Sequence, residues 1–300
     1  MKRSSNQDAH CALLGPNAPP GTDALIVVAD GMGGHQAGEI ASNLAIQGLL
    51  RRLSRPDGGE HTIPGPSRMD SVLAKIVRDV NEEVNRGAGR PETRGMGTTL
   101  TAGILLGNRL FLAHVGDSRG YLFRNRQLKQ LTRDHSWVAE EVARGALTPQ
   151  QAQEHPRRNI LTRALGVSPS VEVDHGGIEV QEGDVFLICS DGLHGLVSDE
   201  AIAQTLARLD PQPACEALTD MANSAGGPDN ITVVVARVEK LNQRAGSYGR
   251  SNLDRQSTVQ LAGTQRKKGM IAKALRILFF PLGLPVWLLM KIVKLAYHRR

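Results

Sequence analysis

Four stretches, widely separated in the 300-residue chain, each set an aspartate at the tip of an apolar run beside a glycine or asparagine. They are ALIVVADGMGG with Asp30, LFLAHVGDSRG with Asp117, DVFLICSDGLHG with Asp191 and GGPDNITVVV opening at Asp229. Gathered at one edge of a sheet, they would form a pocket of oxygen ligands without nitrogen or thiolate, the donor set of Mg²⁺ or Mn²⁺. Two such ions about 4 Å apart can hold and deprotonate a water between them. The glycines after Asp30 and Asp191 remove a Cβ and let a carbonyl or a water approach closely. Asn230, after Asp229, can hold a turn by bonding its own backbone. Each aspartate alone reads equally well as a strand-end turn cap, so the chemistry depends on the four meeting.

Other chemistries fit the chain poorly. LIVVADGMGGHQAGEIAS has the strand, glycine turn and helix of a dinucleotide site, but GxGxxG read from Gly31 needs glycine where Gln36 stands. No GxxxxGK[ST] is present, and the nine histidines show no HxxxH or HExxH spacing for zinc. His114, inside LFLAHVG, reads as a core histidine. Cys11, Cys189 and Cys215 form no CxxC pair, and neither Cys189 nor Cys215 sits in a CxxxxxR loop. Sparse, odd-numbered cysteines fit a reducing compartment. Met1–Lys2–Arg3 leads directly into polar residues, so the expectation is a cytoplasmic protein without a signal peptide.

The elements that would carry these residues are legible from periodicity. Runs rich in β-branched residues at 24–30, 98–106, 109–116, 119–124, 171–180, 184–190 and 231–238 predict strands. Turns such as Gly107–Asn108 favour antiparallel pairing. Helical spacing covers 36–53, through Ile40, Leu44, Ile46, Leu49, Leu50 and Leu53, and 70–86. Two further helices fit 199–209 and 211–224. Strands in the middle and helices in blocks predict an α+β fold. Residues 134–166 open with a short helix, Ser136 to Arg144, and continue as a polar, Pro-containing insert. The insert reads as a flap over about 145–166 beside the site, or as a helical hairpin packed on the surface.

The charge is uneven. From Leu241 onward the chain holds 12 Lys/Arg against a single acid, Asp254, a net +11, whereas residues 1–240 carry a net −5. With only 3% aromatics and no basic face in the acidic part, nucleic-acid binding is not expected. Residues 239–269 read as a polar, disordered linker. Residues 270–300 form a basic hydrophobic tail whose uncharged run, Ile277 to Met290, is interrupted by Pro281, Gly283 and Pro285. About 20 apolar residues are needed to span a bilayer. The reading is therefore an interfacial or re-entrant anchor on anionic lipid, with a true span or a helix docked on a partner as alternatives.

RSSNQDAH (3–10), VVADGMGGHQAGEIAS (27–42), GTTLTAGIL (97–105), AHVGDSRGYLFR (113–124), LTRDHSW (131–137), NILTRALG (159–166), LICSDGLHGLVSDE (187–200) and GGPDNITVVVARV (226–238) resemble, in order and spacing, the bacterial metal-dependent serine/threonine phosphatases of type 2C. The resemblance covers 3–238 and implies one domain over 1–238, an α/β/β/α sandwich of two antiparallel sheets. By that resemblance Asp30 bridges two Mn²⁺ or Mg²⁺ ions, with the Gly31 carbonyl in one shell, and Asp191 and Asp229 hold the other ion. Asp117 with Asp191 would form a third, weaker site. Arg3 would clamp the substrate phosphate, and Asp8 would orient metal-bound water, with Asn230 supporting. A metal-bridging hydroxide would hydrolyse phosphoserine or phosphothreonine directly. The implied protein is a monomer acting on phosphoproteins and opposing a serine/threonine kinase. The chain departs from the pattern in three places. Gln7 stands where many relatives have Glu, and Met32 stands where animal relatives have a histidine proposed as general acid. Arg3 lies almost at the first residue, so either the start lies upstream or Arg3 hangs from a weakly anchored terminus. A catalytically weak phosphoprotein-binding module is the alternative.

Overall fold

The computed structural model describes residues 5–54, 68–241 and 258–265. Two antiparallel sheets stack face to face, and a pair of helices covers each outer face. The first sheet contains β1 (Asp8–Leu14), β2 (Ala24–Met32), β4 (Leu100–Leu106), β5 (Arg109–Val115) and β8 (Asp174–Glu179), in that spatial order, with the two-residue β3 (Gly97–Thr98) paired to the end of β2. The second runs β11 (Thr258–Gln265), β10 (Thr232–Lys240), β9 (Val185–Cys189), β6 (Arg119–Arg124), β7 (Gln127–Gln130). Helices α1 (His35–Leu53) and α2 (Met69–Ala88) cover the first sheet, and α6 (Asp199–Arg208) and α7 (Pro211–Ser224) the second.

Strict alternation along the central strands builds these layers. On β2, Leu25, Val27 and Ala29 face α1 and α2, whereas Ala24, Ile26 and Val28 face the other sheet. On β10, Val233 and Val235 face α6 and α7, whereas Val234, Ala236 and Val238 meet Phe186 and Ile188 between the sheets. Strands buried on both faces read as continuous apolar runs, which is why they stand out in the sequence.

Several elements differ from expectation. β1 (DAHCALL) and β7 (QLKQ) escape periodicity because both are edge-side strands with few β-branched residues. The strand expected at 171–180 is shorter, and Val173 instead packs on the helix-side core ahead of β8. The expected linker at 239–269 contains β11, which pairs with β10 from Thr232↔Gln265 to Lys240↔Thr258. β10 presents an open ladder there, and TVQLAGTQ supplies enough β-forming residues to fill it. In α1 the buried stripe is Ala37, Ala41, Ala45, Leu49 and Leu53, while the expected core residue Ile40 is 43% exposed. Small residues let α1 lie close against the sheet; the periodicity of the larger residues pointed slightly off the buried face.

The insert at 134–166 carries two short helices in contact, α3 (Trp137–Ala143) and α4 (Pro149–Glu154), the latter opened by a capping box between Thr148 and Gln151. Its end is fastened to the body by backbone bridges, Ser136↔Leu161 and Thr98↔Leu165. Among the described residues no helix is long and apolar enough to cross a membrane. Arg3 and the tail at 270–300 lie outside the described residues.

Candidate active site

Topology alone brings the four aspartates together. β9 and β10 run antiparallel with Val233 opposite Cys189, so the end of β9 and the start of β10 share one sheet edge and carry Asp191 and Asp229. In the other sheet Leu100 at the start of β4 lies opposite Val115 at the end of β5, and Thr99 N–H bonds the Asp30 carbonyl at 2.8 Å. Asp30 and Asp117 therefore leave the first sheet at one edge. A cavity of about 570 Å³ is lined by all four, together with Gly31 and Gln7.

Asp30 is held from both sides. Its N–H donates to Thr99 Oγ1 (2.9 Å) and its carbonyl accepts from Thr98 Oγ1 (2.9 Å). Gly31 N–H donates to the Gln7 carbonyl at 3.2 Å. A Cβ on Gly31 would sit 2.0 Å from the Gly38 carbonyl oxygen, so only glycine lets the first turn of α1 close on the strand end. The second sheet repeats the device. Asp191 opens the short helix α5 (Asp191–His194), and a Cβ on the following Gly192 would meet the Asn230 carbonyl oxygen at 2.0 Å. Asp117 follows Gly116, whose φ of +114° is open to glycine and strained for other residues. The Asp117 carbonyl accepts from His194 Nε2 at 2.9 Å, and burial keeps that imidazole neutral, its pKa lowered to about 4.

Asp8 pairs with Asp30 across β1 and β2 and is 5% exposed. Its Oδ2 accepts from Ser190 Oγ (2.9 Å) and Thr232 Oγ1 (2.7 Å), while Ser190 Oγ accepts from Thr232 N–H (3.0 Å). One carboxylate thus joins the two sheets beneath the cavity. Asn230 works differently from expectation. The Asp229 carboxylate, at 2.7 Å, caps the Asn230 N–H, and the Asn230 amide reaches across the chain. It accepts from Gln7 N–H (2.9 Å) and donates to the Ser5 carbonyl (3.2 Å), so the segment is anchored from Ser5 onward.

The electrostatics are those of carboxylates crowded away from water. Burial and then repulsion from Asp8, Asp191, Asp117 and Asp229 push Asp30 well above the usual carboxylate range. Burial, followed by Asp191 and Asp134, lifts Asp117 to about 8. Asp8 stands at about 6, burial outweighing its two hydroxyl donors. Such a cluster calls for a cation. Among the described residues no three acid, His or Cys side chains converge tightly enough to enclose an ion by themselves. Mg²⁺ and Mn²⁺ do not require that: they bind through one or two carboxylates, with carbonyls and several waters completing the shell. A cavity rimmed by four separated carboxylates and the closely approached Gly31 fits this mode. His114 is 2% exposed and bonded to Thr101 Oγ1 and the Arg133 carbonyl, away from the ligand set.

Sequence reasoning missed the polar residues behind the aspartates. Ser190 and Thr232 lie within the same motifs as Asp191 and Asp229, and Thr98 and Thr99 lie just ahead of β4. Nothing in their spacing distinguishes them from ordinary strand hydroxyls. Also missed is a second, larger cavity of about 730 Å³ beyond Asp117 and Asp191. It is lined by α3, α4 and the α5–α6 turn and open to solvent, and Arg119 grips Asp134 on its wall with contacts of 2.7–3.1 Å.

Comparison with known proteins bears on this geometry. The family model described as protein phosphatase 2C matches residues 2–225. The chain is 42% identical over 214 residues to the serine/threonine protein phosphatase PstP of Mycobacterium tuberculosis, covering 71% of this chain and 40% of that protein. It is 40% identical over 213 residues to the serine/threonine phosphatase stp of Listeria monocytogenes, covering 70% and 83% respectively. This chain thus spans well under two thirds of the mycobacterial relative's length. A crystal structure of the PstP catalytic domain in complex with two manganese ions superposes with a TM-score of 0.67 at 38% identity, over 80% of this chain and 94% of that one. Stp1 from Staphylococcus aureus gives a TM-score of 0.72 at 31% identity, over 80% and 92%. The family model covers most of the chain and the solved relatives share its fold, and the chain belongs to the protein phosphatase 2C family.

Proposed function

We propose that this chain hydrolyses phosphoserine and phosphothreonine esters in proteins, in a reaction that depends on Mn²⁺ or Mg²⁺. The observation that carries the reading is the single cavity lined by Asp30, Asp117, Asp191 and Asp229. Asp30 with the Gly31 carbonyl would hold one ion, Asp191 and Asp229 with Asp30 a second, and Asp117 with Asp191 a third. When bound, these ions supply Lewis acidity toward the phosphoryl oxygens and a nucleophile from water. The protein's own part is to fix oxygen ligands on rigid strand ends. Asp8, locked by Ser190 and Thr232, orients what lies between the two sheets. Arg3 is proposed to grip the phosphate, and Asn230 holds the segment that leads to it from Ser5. The second cavity, opening beside Asp117 and Asp191, offers room for side chains flanking a phosphoresidue, which favours protein over small-molecule esters.

A second reading rests on Gln7, a buried neutral amide on the cavity wall: weaker metal binding and a catalytically poor phosphoprotein-binding module. Phosphate release from a phosphothreonine peptide, measured with Mn²⁺ or EDTA, separates the two. The proposal expects turnover that EDTA and Asp191→Asn abolish. Tight peptide binding with equal, negligible release from wild type and Asp191→Asn would favour the module. The physiological counterpart is proposed to be a serine/threonine kinase. The tail at 270–300 is proposed to hold the domain at the inner face of the cell membrane. Equal solubility of the full chain and a chain truncated after Gln265, which keeps β10 and β11, would refute that attachment.

A further inference from the structure

Among the described residues that line the carboxylate cavity, Arg163 is the one cation. Its guanidinium is fixed at one nitrogen: Nη1 lies 2.8 Å from Asp174 Oδ1 and 3.4 Å from Glu172 Oε2. Nε and Nη2 make no hydrogen bond among the described residues, so most of the donor fork is available on a side chain whose position is already set. Asp174 is set in turn. Its Oδ2 stands 3.2 Å from His135 Nε2, and His135 is 3% exposed. The His135 tautomer follows from its other side, because Gly116 N–H donates to Nδ1 at 3.1 Å. Nδ1 must then be the acceptor and Nε2 the protonated nitrogen, which lies within ion-pair distance of Asp174 Oδ2 without making an aligned hydrogen bond to it. The backbone repeats the link, His135 N–H donating to the Gly116 carbonyl at 2.8 Å and Thr162 N–H to the His135 carbonyl at 2.9 Å. The glycine that precedes Asp117 is therefore tied through His135 and Asp174 to the arginine facing the same cavity.

We propose that Arg163 is a substrate-binding residue of this site, taking an anionic oxygen group of the substrate on Nε and Nη2, and that Asp174 and His135 are its positioning residues. The inference rests on the phosphatase reading. A planar fork pinned at one nitrogen is preorganised for paired oxygens, so little side-chain freedom is lost on binding. The oxygens can belong to the phosphoryl group or to a carboxylate beside the phosphoresidue, and substrate choice distinguishes these.

The test measures kcat and KM of full-length wild type, Arg163→Gln, Arg163→Lys and Asp174→Asn with Mn²⁺. Substrates are p-nitrophenyl phosphate and two phosphothreonine peptides, one with and one without acidic neighbours. Mn²⁺ binding to each variant is followed in parallel by calorimetry. Arg163→Gln should lower kcat/KM roughly 10–100-fold, the range of a charge-assisted hydrogen bond, mainly through KM. Arg163→Lys should recover part of the loss, and the Mn²⁺ isotherm should not move. A loss on all three substrates assigns the phosphoryl group, and one confined to the acidic peptide assigns the neighbouring carboxylate. Asp174→Asn should raise KM in the same pattern, and the double variant should be no worse than Arg163→Gln. Unchanged kinetics in Arg163→Gln, or a weakened Mn²⁺ isotherm that accounts for the loss, would overturn the inference while leaving the phosphatase reading standing. A wild type without Mn²⁺-dependent turnover would overturn both.

Discussion

Replacing Thr232 by valine removes one hydroxyl and almost no volume, and it isolates the buried contact that joins the two sheets beneath the active site. Thr232 Oγ1 donates to Asp8 Oδ2 at 2.7 Å, beside a second donor from Ser190. A hydrogen bond to an ionised group contributes about 1.5–3 kcal/mol. In a domain of this size each kcal/mol moves the melting temperature by about 2–4 °C, so Thr232→Val should melt roughly 3–12 °C lower at pH 8. The loss should depend on pH in a defined direction. Asp8 has a folded pKa raised from 3.8 to about 6, so its ionisation opposes folding progressively from about pH 4 and fully above about pH 6. Losing a donor to the carboxylate pushes that pKa higher. The destabilisation should therefore be small at pH 5, where Asp8 is protonated in both proteins, and should grow toward pH 8. Thermal melts in EDTA at pH 5, 6.5 and 8 read this directly. A loss of equal size at all three pH values would show that Thr232 acts by packing and would refute the reasoning.

Three further outcomes follow from the same geometry. Gly192→Ala places a Cβ 2.0 Å from the Asn230 carbonyl oxygen, so the Asp229 loop must shift; Mn²⁺-dependent activity should fall by at least about tenfold, by loss of positioning. Asn230→Ala releases both Ser5 and Gln7, and hydrogen exchange should accelerate at the start of β1, with KM rising more than kcat falls. In EDTA the wild-type protein should lose more melting temperature, or gain less, between pH 6 and pH 8 than Asp117→Asn does. Folded Asp117, at about 8, keeps a proton that the unfolded chain releases near pH 4, and its contribution to stability drops as that proton leaves; the histidines, whose folded pKa is lowered, act in the opposite direction and are common to both proteins. Saturating Mn²⁺ should reverse that trend, and an unreversed trend would mean the carboxylates do not share a cation.

The sequence is most legible where burial is two-sided. β2, β9 and β10 stand between a helix layer and another sheet, so their residues are apolar on both faces and the strand ends, with Asp30, Asp191 and Asp229, can be placed by eye. β1 is harder because its pattern is mixed, and β11 harder still because its few β-forming residues stand in a polar stretch and pair with β10 from a distance along the chain. The site shows the same split. The four aspartates proposed as ligands are visible because each stands at the tip of an apolar run. Their supports are contacts between distant residues: Asp8 with Ser190 and Thr232, and Asn230 with Ser5 and Gln7. These hydrogen bonds span 182 to 225 positions, and no local spacing encodes them.

The central claim is that four strand-end aspartates form one metal centre, and Mn²⁺ stoichiometry on wild type and Asp30→Asn tests it most directly. Calorimetric or paramagnetic titration should find at least two Mn²⁺ per wild-type chain. Asp30→Asn should weaken both together, because Asp30 lines the same cavity as Asp117, Asp191 and Asp229 and is proposed to be shared by the two ions. Binding that is unchanged in Asp30→Asn, or a loss confined to one independent ion, would contradict a shared centre.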